Sequence, residues 1–145
     1  MKFGKVKDIS TIDFSLPSDA PGTRQNLEHW PASDTATFYI GCTGWSMKEW
    51  VGRIYPKGAK AKEFLKHYGR QFNTIELNTT HYRIPTAAMI DKWYRETPDD
   101  FRFCPKVPQS ISHSKNLGVG TGLISQFTEA VAGLQQKLGC CFMQL

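Results

Sequence analysis

The sequence predicts an α/β protein whose parallel strands belong to a β/α barrel of the TIM type. Short apolar runs that favour strands begin at residues 37, 73, 101 and 140, and segments with helical apolar spacing lie between them. Alternating strands and helices require a parallel sheet with right-handed crossovers. The strand starts lie 36, 28 and 39 residues apart. This spacing is close to the roughly 31 residues per unit of an eight-unit barrel, although a doubly wound sheet satisfies the same alternation.

Length and composition restrict the class of protein further. The chain has 145 residues, of which 40% are hydrophobic and 21% are charged, as in one ordinary globular domain. Its apolar runs are shorter than the roughly 18 to 20 residues that a membrane helix needs, and its first residues lack the apolar centre of a signal peptide. We therefore expect a cytoplasmic protein without membrane contacts. The four cysteines lie outside zinc-type spacings, which predicts reduced thiols.

A change of pattern separates an N-terminal arm from the barrel domain. Residues 1–36 carry prolines among polar residues and only short apolar segments, so they are predicted to form an extended arm. Residues 37–145 are predicted to form the barrel domain. Its first strand is predicted over TFYIGC at 37–42, and a turn at Gly44 and Trp45 follows.

Two further strand-like runs alternate with helical spacing in the middle of the chain. NTIELN at 73–78 predicts the second strand and FRFCPK at 101–106 predicts the third. Thr86 is a suitable N-cap for the helix between them, and Pro98 ends that helix. The helix before the second strand is predicted over about 60–70 from an apolar face of Phe64, Leu65, Tyr68 and Phe72.

The last part of the chain predicts one more helix and one more strand. The helix is predicted to end at Gly139 in the C-cap position, after an apolar stripe of Leu123, Phe127, Val131, Leu134 and Leu138. CCFMQL at 140–145 then begins a fourth strand. Because central strands of a parallel sheet are paired on both edges, we infer that the sequence is incomplete.

Strand alternation predicts which side chains face the interior of the barrel. On the second strand the inward set is Thr74, Glu76 and Asn78, with Ile75 and Leu77 beneath the helices. On the third strand the inward set is Arg102, Cys104 and Lys106, with Phe101 and Phe103 turned outward. Barrel enzymes take their functional residues from the carboxyl ends of the strands and the following loops, so the last members of these sets are candidates.

Glu76 and Lys106 are the main catalytic candidates. They are predicted to lie on adjacent strands, where they could approach each other. The functional interpretation makes Glu76 a general acid or base and Lys106 an electrostatic or Schiff-base group. The structural alternative is an inward ion pair that only fixes the strand register. His113, which follows the third strand, is the third catalytic candidate.

The same end of the barrel carries the candidate ligand-binding residues. They are Trp45, Asn78, His81, Tyr82, Arg83 and Gln144. Together with Glu76, a metal or a phosphate group could be held by Asn78, His81, Tyr82, Arg83 and His113, but no HxH or HExxH spacing supports a metal. We therefore predict a site for a small anionic or phosphorylated ligand without a metal. The sequence identifies no cofactor.

The net charge of +5 allows a second interpretation, in which the partner is a nucleic acid. Six basic residues lie between Arg53 and Arg70 against the single acid Glu63. Such a run is either a solvated helix face or a surface that attracts phosphates. Trp45, Trp50 and Tyr55 either offer stacking surfaces for single-stranded bases or pack the loop after the first strand onto the barrel rim.

Five segments match one known family in order and spacing. They are YIGCTGW at 39–45, EWVGRIYP at 49–56, FNTIELNTTHYRIP at 72–85, WYRETPDDFRFCPKVPQSISH at 93–113 and KLGCCFMQL at 137–145. On these segments the chain resembles the YecE-like family, catalogued as domain of unknown function 72. His81 departs from the family pattern, because the family usually has Phe there.

The resemblance implies a TIM-type barrel, of which residues 37–145 are the N-terminal half, about the first three and a half βα units. It implies no settled reaction. Together with the inward polar residues, it predicts a fragment of a hydrolase-like or lyase-like enzyme that binds an anionic ligand at the carboxyl ends of the strands. The alternative is a non-catalytic barrel module that binds nucleic acid.

Overall fold

The N-terminal part of the chain contains a helix. The computed structural model describes residues 8, 10, 12–13, 15, 18–29 and 36–145. Residue contacts divide the chain into two units, Met1–Thr37 and Phe38–Leu145. In the first unit, Pro21–Glu28 form helix α1. The prediction of an extended arm is wrong for this segment, because proline at the first helical position has a backbone angle suited to a helix. The other residues of the predicted arm lie largely outside the described ranges.

The second unit is a mixed α/β structure built on a parallel sheet. Its strands are β1 (Gly41–Cys42), β2 (Thr74–Leu77) and β3 (Arg102–Pro105), in the order β1-β2-β3. Both strand pairs are parallel, with Cys42 opposite Ile75 and Glu76 opposite Cys104. The prediction of parallel strands joined by helical segments is confirmed. Among the described residues, none of the helices is both long and apolar enough to cross a lipid bilayer.

Strand β1 is shorter than the predicted run at 37–42. The Asn73 side chain forms hydrogen bonds with the backbone groups that would pair with β2 if the strand were longer. Its Oδ1 accepts a hydrogen bond from the Ile40 amide at 2.7 Å, and its Nδ2 donates to the Phe38 carbonyl at 2.8 Å. Side-chain hydrogen bonds of this kind compete with strand pairing. The ladder therefore begins only at Gly41, whose lack of a side chain is required because a Cβ there would overlap the Thr74 carbonyl oxygen.

Five helices accompany the sheet. They are α2 (Phe64–Tyr68), α3 (Thr79–Tyr82), α4 (Ala87–Glu96), α5 (Gln109–Ser112) and α6 (Leu123–Ala132). Short 3₁₀ turns occur at Lys48–Trp50, Ala61–Glu63 and Gln135–Lys137. The predicted Thr86 cap is confirmed, because its Oγ1 accepts a hydrogen bond from the Met89 amide at 3.3 Å. The single helix predicted over about 60–70 is instead a 3₁₀ turn followed by α2.

The final helix and strand differ from the prediction. Helix α6 ends at Ala132 with Gly133 as its C-cap, so Gly139 is not a helix cap. Gly139 instead allows a close backbone contact, because its amide donates to the Phe103 carbonyl at 2.7 Å and a Cβ would lie 2.9 Å from that oxygen. Residues 140–145 form no regular strand, although isolated parallel bridges join Leu138 to Phe103 and Phe142 to Lys106.

The hydrophobic core lies between the sheet and the helices that follow β1 and β2. It is formed by buried side chains of α2, α4 and one face of the strands, among them Tyr68, Trp93, Ile75, Leu77, Phe101 and Phe103. A smaller cluster of Ile111, Phe127 and Val131 joins α5 to α6. Burial of aliphatic and aromatic side chains of this kind stabilises the fold by about 1.5–3 kcal/mol per side chain.

Candidate functional site

The two faces of the sheet differ as strand alternation predicts. Ile75 and Leu77 of β2 are 0% and 1% exposed, whereas Glu76 between them is exposed. On β3, Phe103 is buried while its neighbours are only half-buried. We call the face opposite the helices the open face, defined by Thr74, Glu76, Arg102, Cys104 and Lys106. It carries the polar residues predicted to be functional.

Glu76 lies at the centre of the open face and lines two cavities. One, of about 110 Å³, is bounded by the loop after β1, including Trp45, and by Asn78. The other, of about 330 Å³, extends over Thr74 and Cys104. Asn78 Nδ2 donates a hydrogen bond to Glu76 Oε1 at 2.9 Å. Asn78 therefore orients the carboxylate of Glu76. The sequence predicts both side chains on the same face of the sheet, which is consistent with this contact.

The predicted approach of Glu76 and Lys106 does not occur. Within the described part of the chain, the ion pairs closer than 4.0 Å do not include these two residues. The register places Glu76 opposite Cys104, so Lys106 lies further along the neighbouring strand. Lys106 Nζ instead donates to Gln144 Oε1 at 2.6 Å and lies 5.8 Å from the centre of the Phe142 ring. The structure thus joins two predicted site residues, Lys106 and Gln144, in a pair that alternation alone did not identify.

Two histidines meet at the carboxyl ends of β2 and β3. The rings of His81 and His113 lie 5.5 Å apart and nearly perpendicular. His81 Nδ1 is 3.1 Å from the Val107 carbonyl oxygen, which can only accept, so Nδ1 carries the proton. In the neutral ring Nε2 is then the acceptor. His81 is held in place by the adjacent Thr80, whose hydroxyl lies 2.7 Å from the Lys106 carbonyl oxygen.

Ser112 positions His113. The Ser112 Oγ lies 2.8 Å from His113 Nδ1 and 3.2 Å from the Pro108 carbonyl oxygen. The hydroxyl has one hydrogen to donate, and either of these two atoms can accept it. Among the described residues, no three His, Cys, Asp or Glu side chains form a group that could hold a metal ion.

The remaining ligand-binding candidates lie at the edge of this region. Tyr82 is 74% exposed, and its ring lies 5.3 Å from that of His81. Arg83 turns toward helix α4, with Nη2 3.8 Å from Met89 Sδ. The structure thus groups Tyr82 with the histidines and places the Arg83 guanidinium beside α4.

The aromatic residues of the loop after β1 pack onto the core. Trp45 meets Trp93 edge to face with ring centres 6.0 Å apart, and its carbonyl accepts from the Tyr55 hydroxyl at 2.7 Å. Tyr55 is only 1% exposed, and Trp50 is stacked near Tyr68. Of the two interpretations of these rings, packing of the loop holds for Trp50 and Tyr55, and the open stacking surface is wrong for them. Trp45 is half-buried and still lines the smaller cavity beside Glu76.

A thiol pair on the open face was not predicted from the sequence. Cys104 Sγ and Cys140 Sγ lie 3.8 Å apart. Burial raises the pKa of the Cys104 thiol, and the neighbouring Thr74 hydroxyl partly offsets this shift. The inward position of Cys104 was predicted, but its partner depends on how residues 138–142 pair with β3. The signal that could have found the pair is the predicted parallel pairing of the fourth strand with the third.

The part of the chain that carries these residues is similar to known proteins. The family model described as protein of unknown function DUF72 matches residues 39–145. The chain belongs to the DUF72 family. It is 37% identical over 107 residues to UPF0759 protein YecE of Escherichia coli K12, and the match covers 74% of this chain. It is 35% identical over 74 residues to UPF0759 protein YunF of Bacillus subtilis, covering 51% of this chain and 25% of YunF.

Solved DUF72 structures share the fold of this chain. A DUF72 family protein (EF0366) of Enterococcus faecalis V583 superposes with a TM-score of 0.53 and 24% sequence identity, over 71% of this chain and 37% of that protein. The match to YecE likewise covers 37% of YecE. The chain therefore spans little more than a third of the length of YecE and of the E. faecalis protein.

Proposed function

We propose that the carboxyl ends of β1, β2 and β3 form part of an enzyme active site that binds a small anionic substrate and transfers protons on it. The position of Glu76 carries the proposal, because its carboxylate lines both cavities of the open face. Asn78 holds Oε1, and within the described part of the chain Oε2 receives no hydrogen bond. A carboxylate held on one side and open on the other is suited to general acid or base catalysis.

Lys106 supplies the positive charge in this proposal. Its ammonium group donates to Gln144 Oε1 at 2.6 Å, which fixes its position on the open face. Formation of a Schiff base requires a free amine. Because Lys106 donates this hydrogen bond, an electrostatic role fits Lys106 better than a Schiff-base role. His113 serves as a second proton carrier at the same end of the strands, positioned by Ser112. The reaction class that fits is hydrolase-like or lyase-like.

The setting of this site is a β/α barrel, of which residues 37–145 would form the N-terminal half. Parallel strands in chain order support this setting, since barrel enzymes carry their sites at the carboxyl ends of such strands. Residues 1–36 would form an N-terminal arm that precedes the barrel domain in the sequence. The polar side chains of the open face would then line the barrel interior.

Anion binding by this chain tests the proposal. Inorganic phosphate and citrate are titrated at constant ionic strength while amide NMR shifts are recorded. We expect shifts around Glu76, Asn78 and Lys106, and Lys106→Met should weaken binding about tenfold through loss of a charged hydrogen-bond donor. Lys62→Met, which removes the same charge from an exposed turn, is the matched control. Equal effects of the two substitutions would overturn the proposal.

Glu76→Gln separates binding from chemistry. The substitution keeps the shape of the side chain and removes a negative charge beside the proposed anion, so phosphate should bind at least as tightly as before. Any turnover that this protein catalyses should be lost, because the amide cannot exchange a proton. Weakened anion binding in Glu76→Gln would show that the carboxylate has a structural role instead.

A second candidate function is nucleic-acid binding by the basic segment 53–70. Arg53, Lys57, His67 and Arg70 line a cavity of about 390 Å³ on the helix side of the sheet. Within the described residues, the ion pairs shorter than 4.0 Å involve none of these four side chains. Because Trp50 and Tyr55 are packed into the core, recognition would rest on phosphate contacts rather than on base stacking.

The salt dependence of binding tests this second candidate. Binding to a single-stranded oligonucleotide should weaken steeply with added salt, with a log–log slope of about −0.7 per neutralised phosphate. Arg53→Gln and Arg70→Gln should each make the slope shallower, whereas Lys115→Gln, at an exposed lysine that does not line this cavity, should leave it unchanged. Lack of binding at low salt would rule out this function.

A further inference from the structure

The thiols of Cys104 and Cys140 face each other across two paired backbone segments. Their Sγ atoms are 3.8 Å apart. Backbone hydrogen bonds hold the two segments on both sides of the pair, from the Gly139 amide to the Phe103 carbonyl at 2.7 Å and from the Phe142 amide to the Pro105 carbonyl at 3.1 Å. The distance between the thiols is therefore set by the backbone.

The pair is open to small molecules. Both cysteines line the cavity of about 330 Å³ on the open face, and Cys140 is exposed while Cys104 is half-buried. A disulfide bond is about 2.05 Å long, so the sulfur atoms need to approach each other by only about 1.8 Å. Side-chain rotation covers such a distance when the backbones are already neighbours.

We propose that Cys104 and Cys140 form a reversible dithiol–disulfide site that reacts with low-molecular-weight disulfides such as glutathione disulfide. Two other thiols are less suitable partners. Cys141 follows Cys140 directly, and adjacent residues of an extended segment point to opposite sides. Cys42 packs against the hydrophobic core on the helix side of the sheet.

The reaction consists of two exchange steps. The Cys140 thiolate attacks one sulfur of glutathione disulfide, which forms a mixed disulfide and releases one glutathione thiolate that takes up a proton. The Cys104 thiolate then attacks Cys140 Sγ, which forms the protein disulfide and releases the second glutathione. Two protein thiols are oxidised by two electrons, and one glutathione disulfide is reduced to two thiols.

The environments of the two thiols set the order of attack. Burial raises the pKa of Cys104, which lowers the fraction of this residue that is thiolate at a given pH. The exposed Cys140 is therefore the thiol that an external disulfide meets first. Cys104 resolves the mixed disulfide, because the paired backbones hold it beside Cys140.

The disulfide would join β3 to the segment that carries Gln144. The two cysteines are 36 residues apart in sequence, so the bond closes a loop that is open in the reduced chain. Closing a loop of this size restricts the unfolded chain and should raise Tm by roughly 5 °C or more. The proposal depends only on the thiol geometry and does not require the anion site.

The test is oxidation of the reduced chain by glutathione disulfide, followed by tryptic digestion without reduction and mass spectrometry. Trypsin places Cys104 in the peptide 103–106 and Cys140 in the peptide 138–145. We expect these two peptides to be linked, with the loss of two hydrogens, and dithiothreitol should separate them. The same reaction in guanidinium chloride is the matched control, because the unfolded chain should give mixed pairings.

Single substitutions identify which cysteines form the disulfide bond. Cys141→Ser should keep the link, and Cys140→Ser should abolish it. Cys104→Ser should stop the reaction at a mixed disulfide between Cys140 and glutathione. A link that survives in Cys140→Ser, or a native product dominated by a Cys140 to Cys141 bond or by cross-linked dimers, would overturn the proposal. Melting of each reduced variant checks that the fold is retained.

Discussion

Lys137 donates a hydrogen bond from its ammonium group to the Thr97 carbonyl oxygen at 2.7 Å, although its side chain is only 2% exposed. The same Nζ donates to the Tyr94 carbonyl at 2.7 Å and lies 4.4 Å from the centre of the Tyr94 ring. These carbonyls belong to the end of helix α4, where the last carbonyl groups lack partners within the helix. Lys137 therefore caps α4 from a turn about forty residues further along the chain.

Replacing Lys137 should destabilise the fold. Lys137→Met keeps the length of the side chain but leaves two carbonyl oxygens without their donor, so the free energy of unfolding should fall by about 2–3 kcal/mol. Urea denaturation measures the change. Lys92→Met is the control, because Lys92 is exposed and makes only a surface ion pair with Glu96 at 3.9 Å, worth about 0.5 kcal/mol. Similar losses in both variants would show that Lys137 is not a structural cap.

The sequence predicted elements whose signals are local, and it missed those that depend on a distant partner. The Thr86 cap and the alternation of Ile75 and Glu76 follow from neighbouring residues, and both are confirmed. The short β1 depends instead on Asn73, which lies more than thirty residues away from the backbone groups that it holds. Nothing in the TFYIGC run indicates that a side chain replaces its strand pairing.

In the candidate site, too, the sequence predicted what depends on neighbouring residues and missed what depends on a distant partner. Alternation placed Glu76 and Lys106 on one face of the sheet, but strand register decides which side chains touch. Because Glu76 lies opposite Cys104, Lys106 reaches Gln144 instead. The close approach of Cys104 and Cys140 also follows from the pairing of two segments, which residue spacing along the chain does not define.

Tyr68 should make the stability of the protein depend on alkaline pH. Its hydroxyl accepts a hydrogen bond from the Cys42 amide at 2.6 Å and donates to the Thr74 carbonyl at 2.9 Å, so it joins β1 to β2. Burial raises the pKa of Tyr68 to about 12, from an ordinary value of 10.0. The unfolded chain therefore loses this proton first as the pH rises. The stabilisation is complete below pH 10 and is lost between pH 10 and about 12.

Tyr68→Phe tests this dependence. At pH 7 the variant should lose about 1–2 kcal/mol of unfolding free energy, because the Cys42 amide loses its acceptor. Between pH 10 and 12 its stability should fall less steeply than that of the unsubstituted chain, by up to about 2 kcal/mol in total. Urea denaturation across this range gives both quantities. Tyr82→Phe, at an exposed tyrosine, is the control, and equal slopes in all three proteins would contradict the assignment to Tyr68.

Asn73 should control the attachment of the segment before β1. In Asn73→Ala the Ile40 amide loses its acceptor and the Phe38 carbonyl loses its donor, so the free energy of unfolding should fall by about 1–2 kcal/mol. Amide hydrogen exchange should become faster at Ile40, because local opening exposes this group. Asn73→Asp keeps the acceptor for the Ile40 amide and loses the donor to Phe38, so its Ile40 amide should remain protected. Unchanged exchange at Ile40 in the alanine variant would show that another contact holds this segment.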